Sequence, residues 1–208
     1  MKKIIFDLDN TLLFVSNEWE MYYKRFIDKY KLDISPKDLY NILGTIEENV
    51  DIIITKKQFV KYINDNSSIS ITLDMLHDFF NIYAEIPLLK IDTVYSLLSY
   101  LSAKYELIAY SNWFAENQIL RLKKNNLQQF FTKVYGCEII PIKPSKRGLK
   151  SIIGNNSVTD YVFIGDSIEI DLELPNSMGI DTILYNRKNI KQQKYKEVRN
   201  IEDFMKLL

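Results

Sequence analysis

The sequence predicts an α/β fold, a parallel sheet flanked by helices, with an all-helical insertion early in the chain. Two observations carry this. Apolar runs of strand length recur, and each stops at polar or turn-forming residues: Ile4, Ile5 and Phe6 before Asp7, residues 105–110 before Ser111, and residues 161–164 before Gly165. Runs of this kind, alternating with segments of helical spacing, read as buried strands linked by helices. From about residue 14 to residue 89 the strand-like runs give way to apolar residues three and four apart, which predicts helices alone.

The first strand delivers two carboxylates, Asp7 and Asp9, one residue apart. Side chains alternate along a strand, so both point the same way at its C-terminal end, where open α/β sheets bind ligands. Two acids this close repel unless a cation lies between them or one keeps its proton. A hard divalent cation such as Mg2+ does the first, and general-acid chemistry needs the second. Taken alone, the same residues also suit a turn that ends the strand, with Asn10 and Thr11 as turn or cap residues.

Within the insertion, Trp19, Tyr22, Tyr23, Phe26, Ile27 and Tyr30 mark one amphipathic helix, with Ser16 or Asn17 as its cap. Ser35 before Pro36 starts a second, carried by Leu39, Ile42 and Leu43 and closed by Gly44. Phe59, Val60 and Ile63 mark a third. After a polar break at residues 64–68, Thr72 opens a fourth through Leu76, Phe79, Phe80 and Tyr83. The aromatics suit helix packing; the alternative is that Phe14 or Trp19, nearest the ends of the insertion, faces a substrate. His77, the single histidine, receives no role.

Alternation then resumes. A helix over residues 92–104, capped by Asp92, leads into the strand that ends at Ser111-Asn112. A hydroxyl and an amide at a strand end can donate to phosphate oxygens, and they equally suit the cap of the helix that follows over 114–125. A third strand covers residues 130–135. Lys143 stands before Pro144, with Lys146 nearby; either alone reads as a surface lysine. The strand at 161–164 runs into Gly165-Asp166, with Asp171 five residues on, so a second strand presents carboxylates at its C-terminal end. Gly165 permits close backbone approach. Residues 181–185 and 195–199 complete the strands, and 201–208 form a docking helix.

Composition bounds the function. Of 208 residues, 47% are hydrophobic and 26% charged, the balance of a globular chain with a substantial core. Lys plus Arg equals Asp plus Glu at 27 each, so no basic excess points to nucleic acid or an anionic membrane. The single cysteine, Cys137, excludes an intrachain disulfide and suits a reducing compartment. Asp7 and Asp9 interrupt the first apolar run too early for a signal peptide, and no run approaches the roughly 18 apolar residues of a membrane span. The expectation is a soluble cytoplasmic protein.

Asp7-Leu8-Asp9-Asn10-Thr11-Leu12 resembles the first motif of the haloacid dehalogenase-like (HAD) hydrolases. Ser111-Asn112 after a strand resembles the second, Lys143 before proline the third, and Gly165-Asp166-Ser167 with Asp171 the fourth. Four motifs stand in order at the ends of predicted strands and cover nearly the whole chain. Leu174 and Pro175 depart from the small residues usual after the fourth motif. The resemblance implies a Rossmann-like core formed by residues 1–13 and 90–208, with a helical cap at 14–89. It implies Asp7 as nucleophile and Asp9 as general acid and base. Mg2+ would be held by Asp7, the backbone carbonyl of Asp9, Asp166 and Asp171, and the phosphoryl group by Ser111, Asn112 and Lys143. Phe14, Trp19 and Trp113 would face the substrate, a small phosphomonoester such as a nucleotide or sugar phosphate. Dehalogenases of the superfamily lack an acid at the Asp9 position, so Asp9 argues for phosphate. A phosphosugar mutase and, in another class, a phospho-accepting signalling domain are the alternatives.

Overall fold

The computed structural model describes residues 2–207. Strand β1 (Lys3–Phe6) opens the chain, and a two-residue strand β2 (Phe14–Val15) leads to helices α1 (Trp19–Tyr30), α2 (Pro36–Gly44), α3 (Lys56–Asn66) and α4 (Leu73–Tyr83). Strand β3 (Leu88–Leu89) then pairs antiparallel with β2. The chain continues through α5 (Ile91–Ser102), β4 (Glu106–Tyr110), α6 (Ala115–Lys124), β5 (Phe131–Tyr135), α7 (Lys146–Ile153) and β6 (Tyr161–Gly165). It ends in α8 (Glu173–Ser177), β7 (Asp181–Tyr185), β8 (Lys196–Val198) and α9 (Phe204–Leu207).

The six-stranded sheet has the order β5-β4-β1-β6-β7-β8, parallel throughout. β1 is central, with Ile5 level with Ile108 of β4 and Phe163 of β6. The chain leaves β1 toward β4 and β5, then returns to the other side at β6. The loops after β1, β4 and β6 therefore meet at a topological switch point, where open α/β sheets place their ligands. Alternation along β1 sends Ile4 and Phe6 into a core with α5, and Ile5 into a second core with α7.

Helices α1 to α4 share a third core. Tyr23, Phe26, Phe59, Phe79 and Phe80 are all buried in it, together with Phe114, Cys137 and Ile142 from segments beside the sheet. Thr55 and Gln58 form a reciprocal capping box at the start of α3. The β2–β3 ribbon gathers the two ends of the helical segment. A second tether was not foreseen: the loop at 51–54 bonds directly beside the sheet, with Ile142 N–H donating to Ile52 O (2.8 Å) and Ile54 N–H to Cys137 O (2.9 Å).

Some caps differ from expectation. Glu18, with no side-chain bond, is the N-cap of α1, while Ser16 Oγ accepts from Glu18 N–H just outside the helix. Lys90 (φ 58°) precedes α5, so Asp92 lies in the first turn; there its charge meets the positive end of the helix dipole. No helix is long and apolar enough to cross a membrane among the described residues.

Candidate active site

Asp7, two residues short of Asp9, follows directly on β1, and its N–H continues the ladder to Ile164 O (2.9 Å). Its Oδ2 accepts from Thr11 Oγ1 at 2.8 Å, and its Oδ1 lies 2.7 Å from Lys143 Nζ. The same ammonium is 2.7 Å from Asp171 Oδ1. Asp7, Lys143 and Asp171 are all buried. Asp166, at the end of β6, completes a group of three acids with Asp7 and Asp171 whose ligand oxygens lie within 4.8 Å of one another.

One buried ammonium faces three acids, and the electrostatics follow from that count. Burial pushes the Asp7 carboxyl up to about 8; Lys143 opposes this, while Asp171 and Asp9 add to it. Burial also raises Asp166, with Asp171 reinforcing the effect. Burial works against the Lys143 ammonium, but Asp171 and Asp7 more than offset it and hold its pKa above the ordinary lysine value. The raised Asp7 and Asp166 thus mark a cluster in which a further cation would favour the ionised carboxylates. Their carboxylate oxygens are the hard donors that Mg2+ prefers, so the residues present fit that ion.

Close packing places these groups. A Cβ on Gly165 would collide with the Asp171 carboxyl, so only glycine lets Asp171 pack against β6. Asp171 stands in a wide π-helical turn (Ile168–Leu172) that precedes α8. Pro175 has no N–H to offer the carbonyl four residues back, and the winding changes to α over this stretch. Leu174 and Pro175 lie in α8, beyond this turn, and Asp171 is directed at Lys143. The Asn112 side chain clamps the Lys143 backbone on both sides, Nδ2 to Lys143 O (3.1 Å) and Lys143 N–H to Oδ1 (2.8 Å). Ser111 Oγ accepts from Trp113 N–H (3.1 Å) and Gln118 Nε2 (2.8 Å).

Asp9 turns to another part of the site. Its Oδ2 accepts from Gln118 Nε2 and its Oδ1 from Arg121 Nη1, both at 2.5 Å. Gln118 Oε1 accepts in turn from Arg121 Nη1 at 2.8 Å. Gln118 and Arg121 are buried on α6, and the guanidinium lies 4.8 Å over the Tyr83 ring. The sequence reading missed both. The burial on α6 reverses ordinary helix patterning: Ile119 and Leu120 are partly exposed while Asn117, Gln118 and Arg121 are buried.

The structure brings Asp7, Asp9, Ser111, Asn112, Lys143, Asp166 and Asp171 around one polar chamber of about 90 Å³. Lys146, the fallback for Lys143, is not among its lining residues. Trp113 lines an adjoining cavity and donates its indole N–H to Asn117 Oδ1 at 2.8 Å. The placements of two aromatics are corrected. Phe14 is buried against Tyr185 in the core with α5, on the strand whose alternation turns it inward. Trp19 packs on Tyr23 and Tyr40 and lines neither cavity.

Residues 4–185 match the model of the haloacid dehalogenase-like hydrolases. The chain belongs to this family. No curated protein matches it. Among solved structures it is similar to the HAD hydrolase YfnB from Bacillus subtilis, solved bound to magnesium, at 19% identity over 99% of this chain and 97% of that one, with a TM-score of 0.73. It is also similar to a HAD phosphatase from Thermococcus onnurineus (18%, 100% and 97%, 0.63) and to the 2-haloacid dehalogenase of Pseudomonas syringae pv. Tomato (16%, 100% and 98%, 0.68). At these identities the likeness is one of fold, and phosphatases and dehalogenases share it.

Proposed function

We propose that the chain is a Mg2+-dependent phosphatase that hydrolyses a small phosphomonoester through an aspartyl-phosphate on Asp7. The observation that carries this reading is the division of labour between the two motif acids. Asp7 stands among buried acids beside Lys143, whereas Asp9 stands apart with both oxygens held by α6. A halide leaves without a proton. An alkoxide needs one, and a second acid placed beside the nucleophile but outside its cluster can supply it.

Asp7, Asp166 and Asp171, with the backbone carbonyl of Asp9, would hold Mg2+. When bound, the ion neutralises charge on the phosphoryl oxygens and on the acids around them. Lys143 and the Ser111 hydroxyl bind and orient the phosphoryl group. Asp7 attacks phosphorus as the bond to the leaving oxygen breaks, giving the aspartyl-phosphate. Asp9 transfers a proton to the leaving oxygen in this step and takes one from the attacking water in the next. With Gln118 and Arg121 on its two oxygens, Asp9 is oriented for the second step; in the first, one oxygen exchanges its partner for the leaving group. Residues 14–89, tethered at the β2–β3 ribbon and at 51–54, act as the cap over this site.

The test is phosphate release over time from a simple phosphomonoester. The expected result is many equivalents per protein with Mg2+ and none in excess chelator. Full release in chelator would remove Mg2+ from the reading. Isomerisation of a phosphosugar with little free phosphate would favour the mutase.

A further inference from the structure

A second cavity, of about 180 Å³, adjoins the polar chamber, and Asp9 and Asn10 line both. If phosphorus sits against Asp7, the leaving oxygen lies toward Asp9, and the alcohol beyond it enters this second cavity. This step rests on the phosphatase reading. Four aromatic rings wall the cavity: Tyr23 of α1, Tyr40 of α2, Tyr83 of α4, and Trp113 ahead of α6, with Leu43 and Ile46 between them. The walls brace each other, the Tyr23 ring standing 6.1 Å from both Tyr40 and Tyr83.

The electrostatics are as one-sided as the shape. Asp9 is the only charged residue lining the cavity among the described residues. Burial holds the Tyr23 phenol well above its ordinary range, so it stays neutral. Arg121 does not line the cavity; it is buried, packed over the Tyr83 ring and joined to Asp9. A carboxylate or a second phosphate placed here would find no cation among the lining residues, and the cation nearest Asp9, Arg121, is already bonded to it, so its desolvation would go largely uncompensated. A flat neutral ring would meet the faces and edges of four others. The volume is well below the roughly 300–1,000 Å³ of sites for drug-sized ligands, which suits one ring system.

We propose that this cavity is the leaving-group subsite and that it selects phosphomonoesters of alcohols bearing an uncharged planar ring, nucleosides and benzylic alcohols, over phosphorylated hydroxy acids and sugar bisphosphates.

The experiment measures kcat/KM of the full chain with Mg2+ on benzyl phosphate, uridine 5′-monophosphate, 2-phosphoglycolate and fructose 1,6-bisphosphate. The first two should exceed the last two by about tenfold or more, the scale of an aromatic contact combined with an unpaired buried charge. Two variants probe the wall. Tyr40 is half-exposed, so Tyr40→Ala should fold, and it should lower the benzyl phosphate to phosphoglycolate ratio about fivefold. Gly44 also lines the cavity, has φ −67°, and has nothing within 4 Å of an added Cβ. Gly44→Lys should therefore raise kcat/KM for phosphoglycolate. A wild type that prefers phosphoglycolate or the bisphosphate would overturn the proposal while leaving the phosphatase standing. Ratios unmoved in both variants would also overturn it. No phosphate release from any of the four would overturn the phosphatase reading and the proposal with it.

Discussion

Arg121→Met tests the residues that hold Asp9. The variant keeps an aliphatic stem on α6 and removes the guanidinium. Two opposing effects on stability can be compared. The bond from Nη1 to the Asp9 carboxylate is a charge-assisted hydrogen bond, a class that contributes about 1.5–3 kcal/mol. Nη2 of the same group is buried with no hydrogen-bond partner among the described residues, and removing it relieves a desolvation cost of about 1–3 kcal/mol. The net change in folding stability should therefore stay within about 2 kcal/mol. Asp9 has a side chain 33% exposed and is left with Gln118 alone, so water takes the vacated oxygen. Misplacement of a reacting group by about 1 Å costs about 100-fold in rate. The expected outcome is kcat down about 100-fold, KM falling with it, and phosphoenzyme accumulating because the water-attack step suffers. Steady-state kinetics with an acid-quenched assay for bound phosphate reads all of this. A kcat close to that of the wild type in a folded Arg121→Met protein would refute the positioning role.

Other outcomes follow from the same contacts. Lys143→Met strands Asp7 and Asp171 without their ammonium and should cost about 3–5 kcal/mol in denaturant unfolding at neutral pH without Mg2+; an unchanged midpoint would contradict the pairing. Gly165→Ala drives a methyl into the Asp171 carboxyl and should raise the Mg2+ concentration needed for half-maximal activity, read by metal titration. Asp7 sits at about 8 in the metal-free fold against an ordinary 3.8, so the fold binds this proton more readily than the unfolded chain. The contribution of Asp7 is therefore most favourable below about pH 4, is lost as pH rises through this window, and is fully lost above about 8. Asp7→Asn cannot ionise, so in chelator its Tm should gain on that of the wild type between pH 5 and pH 8. Mg2+ should stabilise the wild type more at pH 8 than at pH 5. A pH-independent difference in Tm would oppose the assignment.

The fold was legible where burial leaves a one-dimensional trace. Strands covered on both faces must be apolar throughout, and the runs at Ile4 and at Tyr161 say so. The acids were legible because each ends such a run. Gln118 and Arg121 were not, because a lone Gln or Arg on a helix is ordinarily solvated, and only the tertiary approach of α6 to Asp9 buries them. Phe14 misled for a related reason: nearness to the first motif along the chain says nothing about which face of a two-residue strand turns inward. The tether at 51–54 was hidden because its bonds are backbone to backbone, and the exposed Ile52 and Ile53 leave no pattern for them.

The central claim is that Asp7 becomes phosphorylated and is then hydrolysed. The direct measurement is an acid quench of wild type and Asp7→Asn at short times after mixing with radiolabelled phosphomonoester and Mg2+, alongside phosphate release at long times. The account predicts label on the wild-type Asp7, many equivalents of phosphate released, and a folded Asp7→Asn protein that neither takes up label nor turns over above about one-thousandth of the wild-type rate. A folded Asp7→Asn protein that still releases phosphate at near the wild-type rate would contradict it.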